Sequence, residues 1–143
     1  MKLVITGGTG FIGSALSKYL SAFPHDLIIL TRGESKMELR GALTVKYVHW
    51  DARTPGEWEK KIAGCDGVLN FIGKNVFEQR WNSEVQHEIL NSRIGPTTLL
   101  VEAIGRMEQK PKVLVSASAV GYYGSRNDET ITEESSAGND FLA

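Results

Sequence analysis

The stretch from Lys2 to Gly13 constrains this chain more than any other: an apolar run, Lys-Leu-Val-Ile-Thr, passes through Gly-Gly-Thr-Gly straight into Phe-Ile-Gly. Glycines at 7, 10 and 13, spaced G-x-x-G-x-x-G, join what reads as a buried strand to a helix. The chemistry of an anion site needs this order. Gly7 can take the tight exit from the strand, Gly10 lets a ligand approach the main chain, and Gly13 allows the helix to lie close on the sheet. Unbonded N–H groups and the positive end of the helix dipole then face a pyrophosphate. Thr9 adds a hydroxyl donor, and Phe11 and Ile12 stand at the helix mouth with it. Glycines also make plain turns, but a strand before and a helix after favour a dinucleotide. No Gly-Lys-Ser/Thr follows, which argues against a nucleotide-triphosphate loop.

Short runs rich in Val and Ile alternate with helical spacing along the rest of the chain, the pattern of βαβ units. Five strands are expected, over residues 2–6, 26–31, 45–49, 67–72 and 112–117. Their near-continuous apolarity suits parallel strands covered on both faces. The fold class is therefore α/β, a Rossmann-like doubly wound parallel sheet in three layers with strand order 3-2-1-4-5. Residues 11–22 predict a helix packing Phe11, Ile12, Ala15, Leu16, Tyr19 and Leu20 on the core. A helical turn is expected over 35–40, and a helix opening at Pro55 and running to about Ile62. The longest helix spans 82–107, with a kink or break at Gly95-Pro96.

Composition narrows the class of partner. With 143 residues, 41% hydrophobic and 23% charged, the chain is one domain over residues 1–143. A net charge of -1 with interspersed signs supplies no cationic face for nucleic acid or an anionic membrane. No apolar run approaches the roughly 20 residues that span a bilayer, and Met1-Lys2 leads into the first strand without a signal-peptide pattern. One cysteine, Cys65, suits a reducing compartment, so a cytoplasmic location is expected. His25, His49 and His87 lack ligand spacing, so no metal site is expected. A homodimer is compatible with this reading. The polar stretch 121–140 ends in Phe141-Leu142-Ala143, where an apolar pattern starts, so the N-terminal part of a longer protein is expected.

The end of the second strand discriminates between cofactors. An acid there would take the ribose hydroxyls of NAD, whereas a cation favours the extra phosphate of NADP. The sequence reads Thr31-Arg32-Gly33, with Glu34 beyond the turn and Lys36 as a helper for Arg32. NADP(H) is the preferred cofactor, with NAD(H) the alternative and a solvated surface arginine the bland reading.

With this loop, Asp51-Ala52 after the third strand and Asn70-Phe71-Ile72-Gly73 after the fourth, the chain resembles the short-chain dehydrogenase/reductase superfamily. The resemblance is to its extended or atypical members of the NAD(P)-dependent epimerase/dehydratase type. Gln79-Arg80-Trp81, Asn91-Ser92-Arg93-Ile94, Ser116 through Gly124, Thr132-Glu133-Glu134 and Asp140 through Ala143 sharpen it toward epimerase-family proteins sometimes labelled cell-division inhibitors. The resemblance implies that Asp51 and Ala52 lie against adenine, that Asn70, Phe71, Ile72 and Gly73 pass the nicotinamide ribose, and that Ser116 to Ser118 approach the nicotinamide. It also implies a longer parent, with a substrate-binding domain and a small carbonyl or sugar-like substrate.

Proton transfer beside a nicotinamide usually needs a hydroxyl made acidic by a nearby cation. The resemblance implies a Ser or Thr after the fifth strand and a Tyr-x-x-x-Lys pair on the following helix. Ser118 is the candidate for the first, with Ser116 second, and Phe141-Leu142-Ala143 occupy the expected region of the tyrosine. Tyr122 and Tyr123 could supply a substitute phenol, or could simply pack; Arg93, Trp81 and Lys74 could line the site. Two functions therefore stand: an NADP-dependent oxidoreductase or epimerase, the isolated chain itself being inactive, or a non-catalytic NADP(H)-sensing module acting through a protein partner, for example in cell division.

Overall fold

Each of the expected apolar runs becomes a strand; those at 2–6, 26–31 and 67–70 are buried almost throughout, as strands covered on both faces must be, whereas 113–116 is exposed. The computed structural model describes residues 1–40 and 43–143. In chain order the elements are β1 (Lys2–Thr6), α1 (Phe11–Leu20), β2 (Asp26–Thr31), β3 (Lys36–Arg40), β4 (Leu43–His49), α2 (Glu57–Ile62), β5 (Gly67–Asn70), α3 (Ser83–Arg106) and β6 (Val113–Ser116), followed by a 3-10 turn at Val120–Tyr123. The sheet order is β3-β4-β2-β1-β5-β6. Its five parallel strands stand in the expected order, 3-2-1-4-5 in their own count, and β3 is added antiparallel to β4 at one edge.

The two faces carry separate cores. Val4, Ile28, Leu30 and Val68 meet Trp58 and Ile62 of α2 and Leu99, Leu100 and Ala103 of α3 on one side. Leu3, Ile5, Leu27, Ile29 and Val45 form the other, with Leu20 of α1 packed on it. Cys65 lies buried in the first core, where burial pushes its thiol pKa up and keeps it a small apolar side chain.

Four expectations are corrected. Residues 35–40 hold a strand rather than a helical turn: Met37 pairs with Lys46 and Glu38 with Val45, so partnership with β4 overrides local preference. α1 does not face the core through Phe11, Ile12 and Tyr19, which are 96%, 60% and 64% exposed. Ala15 is exposed as well, and the packed stripe is Gly13, Leu16, Ser17 and Leu20. α2 begins at Glu57 instead of Pro55. Finally α3 runs unbroken through Pro96. Gly95 has no Cβ to collide with the proline ring, and Pro96 is buried with Leu99 and Leu100.

The sheet's edges differ. β3 presents Lys36 paired with Glu38 at 2.6 Å. β6 leaves Val113, Leu114 and Val115 between 38% and 47% exposed and, among the described residues, is the last strand of the sheet on its side. Among the described residues no helix is long and apolar enough to cross a membrane, and no three His, Cys, Asp or Glu side chains cluster as a metal site.

Candidate functional site

Because all strands except β3 run in one direction, the segments following β1, β2, β4, β5 and β6 gather at a single edge of the sheet. β1 lies between β2 and β5, and the helices on its two sides pack on opposite faces, which opens a crevice at that point. The glycine turn and the residues after β5 form its walls. A Cβ on Gly7 would sit 2.5 Å from the Phe71 carbonyl oxygen, and the Phe71 N–H donates to the Thr6 carbonyl at 3.2 Å.

The turn fits a bound anion. Gly7 has φ +65, a left-handed conformation that only glycine adopts cheaply, and the Gly10 N–H closes the turn onto the Gly7 carbonyl at 3.0 Å. A Cβ on Gly13 would collide with main chain, 2.7 Å from Gly8 Cα and 2.8 Å from the Gly7 carbonyl carbon. Gly13 therefore seats α1 against the turn itself, a closer approach than the sheet contact expected of it. Gly10 precedes α1 in extended conformation and no side chain caps the helix. In α3, by contrast, the Asn82 side chain accepts the Val85 N–H at 2.8 Å. The first amides of α1 thus have no capping side chain, which is the condition under which a helix start can take an anion.

From this mouth a cavity of about 600 Å³ runs between Gly8, Thr9, Ser14 and Ser17 on one side and Thr31, Gly33, Glu34 and Lys36 on the other. Arg32 stands between two of its lining residues, is exposed, and has no ion-pair partner among the described residues. Lys36 lines the cavity too, but its ammonium is drawn to Glu38 at 2.6 Å and over the Tyr47 ring at 4.8 Å. Glu34 brings a carboxylate to the same cavity.

After β4, Asp51 builds a turn. Its carboxylate accepts the N–H groups of Arg53 and Thr54, both at 2.9 Å, and the Thr54 hydroxyl at 2.7 Å, while Ala52 takes φ 60. These bonds hold its pKa at about 2. A lowered carboxyl stabilises the turn above its ordinary pKa of about 4 and loses that effect as pH falls through the folded value. The amide resonances of Arg53 and Thr54 should therefore shift with a midpoint near pH 2, about the value held in the fold; a midpoint near pH 4 would show that the turn does not hold the carboxylate.

Asn70 is neither a turn cap nor open to solvent. At 4% exposed, its Oδ1 accepts the Thr6 hydroxyl at 2.5 Å, and its Nδ2 donates to Thr97 Oγ1 at 3.1 Å and Ser116 Oγ at 3.0 Å. One amide thus ties β1, β5, α3 and β6 together beneath the crevice. Of the residues that follow, Phe71 and Ile72 are partly buried and Gly73 is exposed. Arg93 serves the same segment: it donates to the Ile89 and Lys74 carbonyls at 3.0 and 3.1 Å, and a Cβ on Gly73 would sit 3.0 Å from its Cζ. Its partners are these two carbonyls and the Ser92 hydroxyl at 3.3 Å. Lys74 pairs with Glu88.

Ser118 follows β6 and is exposed. Tyr122 and Tyr123 stack edge-on at 5.0 Å in the 3-10 turn, whose Tyr122 carbonyl accepts the Gly138 N–H. The Trp81 indole donates to the Val76 carbonyl at 2.7 Å and meets the Phe141 ring at 5.5 Å, so it braces a loop rather than capping α3. Sequence reasoning passed over Thr6, Thr97, Ser35 and His49. The first two are legible only as polar residues in otherwise apolar elements; the last two became visible only when β3 folded back on β4.

The model of the NAD dependent epimerase/dehydratase family matches residues 3–141. The chain belongs to that family. It is 35% identical over 144 residues to the Epimerase family protein YfhF of Bacillus subtilis, covering 100% of this chain and 46% of that protein. The human Epimerase family protein SDR39U1 is 33% identical, with 100% of this chain and 45% of that protein covered. A crystal structure of human SDR39U1 (isoform 2) with NADPH superposes with a TM-score of 0.80 at 32% identity, over 99% of this chain and 45% of that one. This epimerase/dehydratase-family chain thus spans a little under half the length of these relatives.

Proposed function

We propose that this chain binds NADP(H) and forms the cofactor-binding portion of an oxidoreductase or epimerase that acts on a small carbonyl or sugar-like substrate. The observation that carries the reading is the uncapped, glycine-seated start of α1 opening into a cavity whose far wall is the Arg32 segment. The amides of Phe11, Ile12 and Gly13, which the main chain of Gly10 lets a ligand approach, would hold the pyrophosphate, and Thr9 and Arg32 the phosphate on the adenosine ribose. Asp51 and Ala52 would flank adenine; Phe71, Ile72, Gly73 and Arg93 would border the nicotinamide half. The nicotinamide supplies hydride transfer when bound. Ser116, Ser118, Tyr122 and Tyr123 are the hydroxyls at that end, of which Ser118 is proposed to hold the substrate oxygen. The NADPH of human SDR39U1, a relative sharing a third of its residues, supports the choice of cofactor.

Glu34 favours a second reading, NAD(H), because a carboxylate in that cavity could accept ribose hydroxyls. Titration of the Arg32→Ala variant separates the two. It should weaken NADPH by about 1 to 3 kcal/mol, the scale of hydrogen bonds to a charged group, and leave NADH unchanged. Equal losses for both cofactors would remove Arg32 from phosphate recognition.

A further inference from the structure

The Arg32 segment is unusually well tied for an exposed connection. Four residues, 32–35, link β2 to β3, and three hydrogen bonds fasten them. The Gly33 N–H donates to Thr31 Oγ1 at 3.2 Å. His49 Nδ1 lies 3.0 Å from the Gly33 carbonyl oxygen, and the His49 main-chain N–H donates to Ser35 Oγ at 2.9 Å. A carbonyl can only accept, so Nδ1 carries the proton in this contact. Thr31 and His49 are themselves paired residues of adjacent parallel strands, and the Trp50 N–H donates to the Thr31 carbonyl at 2.8 Å. Both ends of the segment are thereby anchored to the last residue of β4.

We infer that His49, together with Ser35, is a specificity-positioning pair: it fixes the main chain on either side of Arg32 so that the guanidinium is presented to the ribose phosphate of NADP(H). The inference rests on the NADP(H) reading above. A long flexible side chain on an untethered loop loses conformational entropy when it grips a phosphate; a loop already pinned loses less. The pinning should therefore matter for the one ligand group that Arg32 meets. It should not matter for the pyrophosphate, which the glycine turn holds independently.

The test compares NADPH and NADH dissociation constants for the chain carrying Arg32→Ala, His49→Ala, His49→Asn, His49→Gln and Ser35→Ala, with the melting temperature of each variant as a folding control. His49→Ala and Ser35→Ala should each raise the NADPH constant roughly threefold to tenfold, the scale of one hydrogen bond, and leave NADH unchanged. His49→Asn should restore NADPH binding, because the Asn amide nitrogen sits on Cγ as Nδ1 does; His49→Gln, with its nitrogen one bond farther out, should not. If His49→Ala fails to fold, the contrast between Asn and Gln, together with Ser35→Ala, carries the test. A selective loss on Arg32→Ala without one on His49→Ala or Ser35→Ala overturns the positioning pair and keeps the NADP(H) reading. Loss of both cofactors in step also overturns the pair. No effect of Arg32→Ala on NADPH overturns the reading beneath it.

Discussion

Gly13→Ala should abolish measurable binding of NADPH and NADH alike and cost the fold about 3 kcal/mol, the upper end of what an added methyl does in a filled site. The three atoms nearest the new Cβ all belong to main chain, of Gly7 and Gly8, so no rotamer change can relieve the clash with them. α1 must move off the turn, and the amides that converge on the anion move with it. Calorimetry and urea unfolding of the variant would show both effects; native-like affinity would mean that the turn and helix adjust independently. Gly105→Ala is the built-in comparison. Gly105 lies in α3 with nothing within 4 Å of its would-be Cβ, so alanine there should stabilise by up to about 1 kcal/mol through helix propensity.

Asn70→Ala carries the other large effect. It removes three hydrogen bonds at once and leaves the Thr6 hydroxyl, on a residue with no exposure, without its acceptor. A loss of about 2 to 4 kcal/mol is expected, since buried networks cost more to interrupt than single bonds. Asn70→Asp sharpens the test. A buried carboxyl has a raised pKa, so the folded state holds its proton longer than the unfolded chain and stability should fall as pH rises above about 4. Urea midpoints at pH 4 and pH 7 would read this directly, and a flat profile would mean that water reaches position 70.

The parallel strands were legible because burial on both faces writes unbroken apolar runs, as in Leu27-Ile28-Ile29-Leu30. The glycine turn was legible for a different reason: its spacing encodes backbone demands, and Gly7 and Gly13 meet them. Where the reading failed, the deciding partner lay elsewhere in the fold. β3 is a strand because β4 lies beside it, and its Lys-Met-Glu-Leu-Arg sequence offers only a short polar alternation. The core-facing side of α1 was misread because close approach selects Gly13 and Ser17, which a search for large apolar residues overlooks. In the sequence His49 looked like a loose polar residue and Arg93 like one lining the site; both act on main-chain carbonyls far along the chain, and no local pattern announces such contacts.

The unlike edges of the sheet differ in what they offer a further strand. At the β3 side the Lys36–Glu38 ion pair meets an approaching backbone with charge, whereas among the described residues nothing is hydrogen-bonded beyond the partly exposed Val113, Leu114 and Val115 of β6. A strand that extends this sheet, whatever its source, is therefore expected to be received at β6 and turned away at β3.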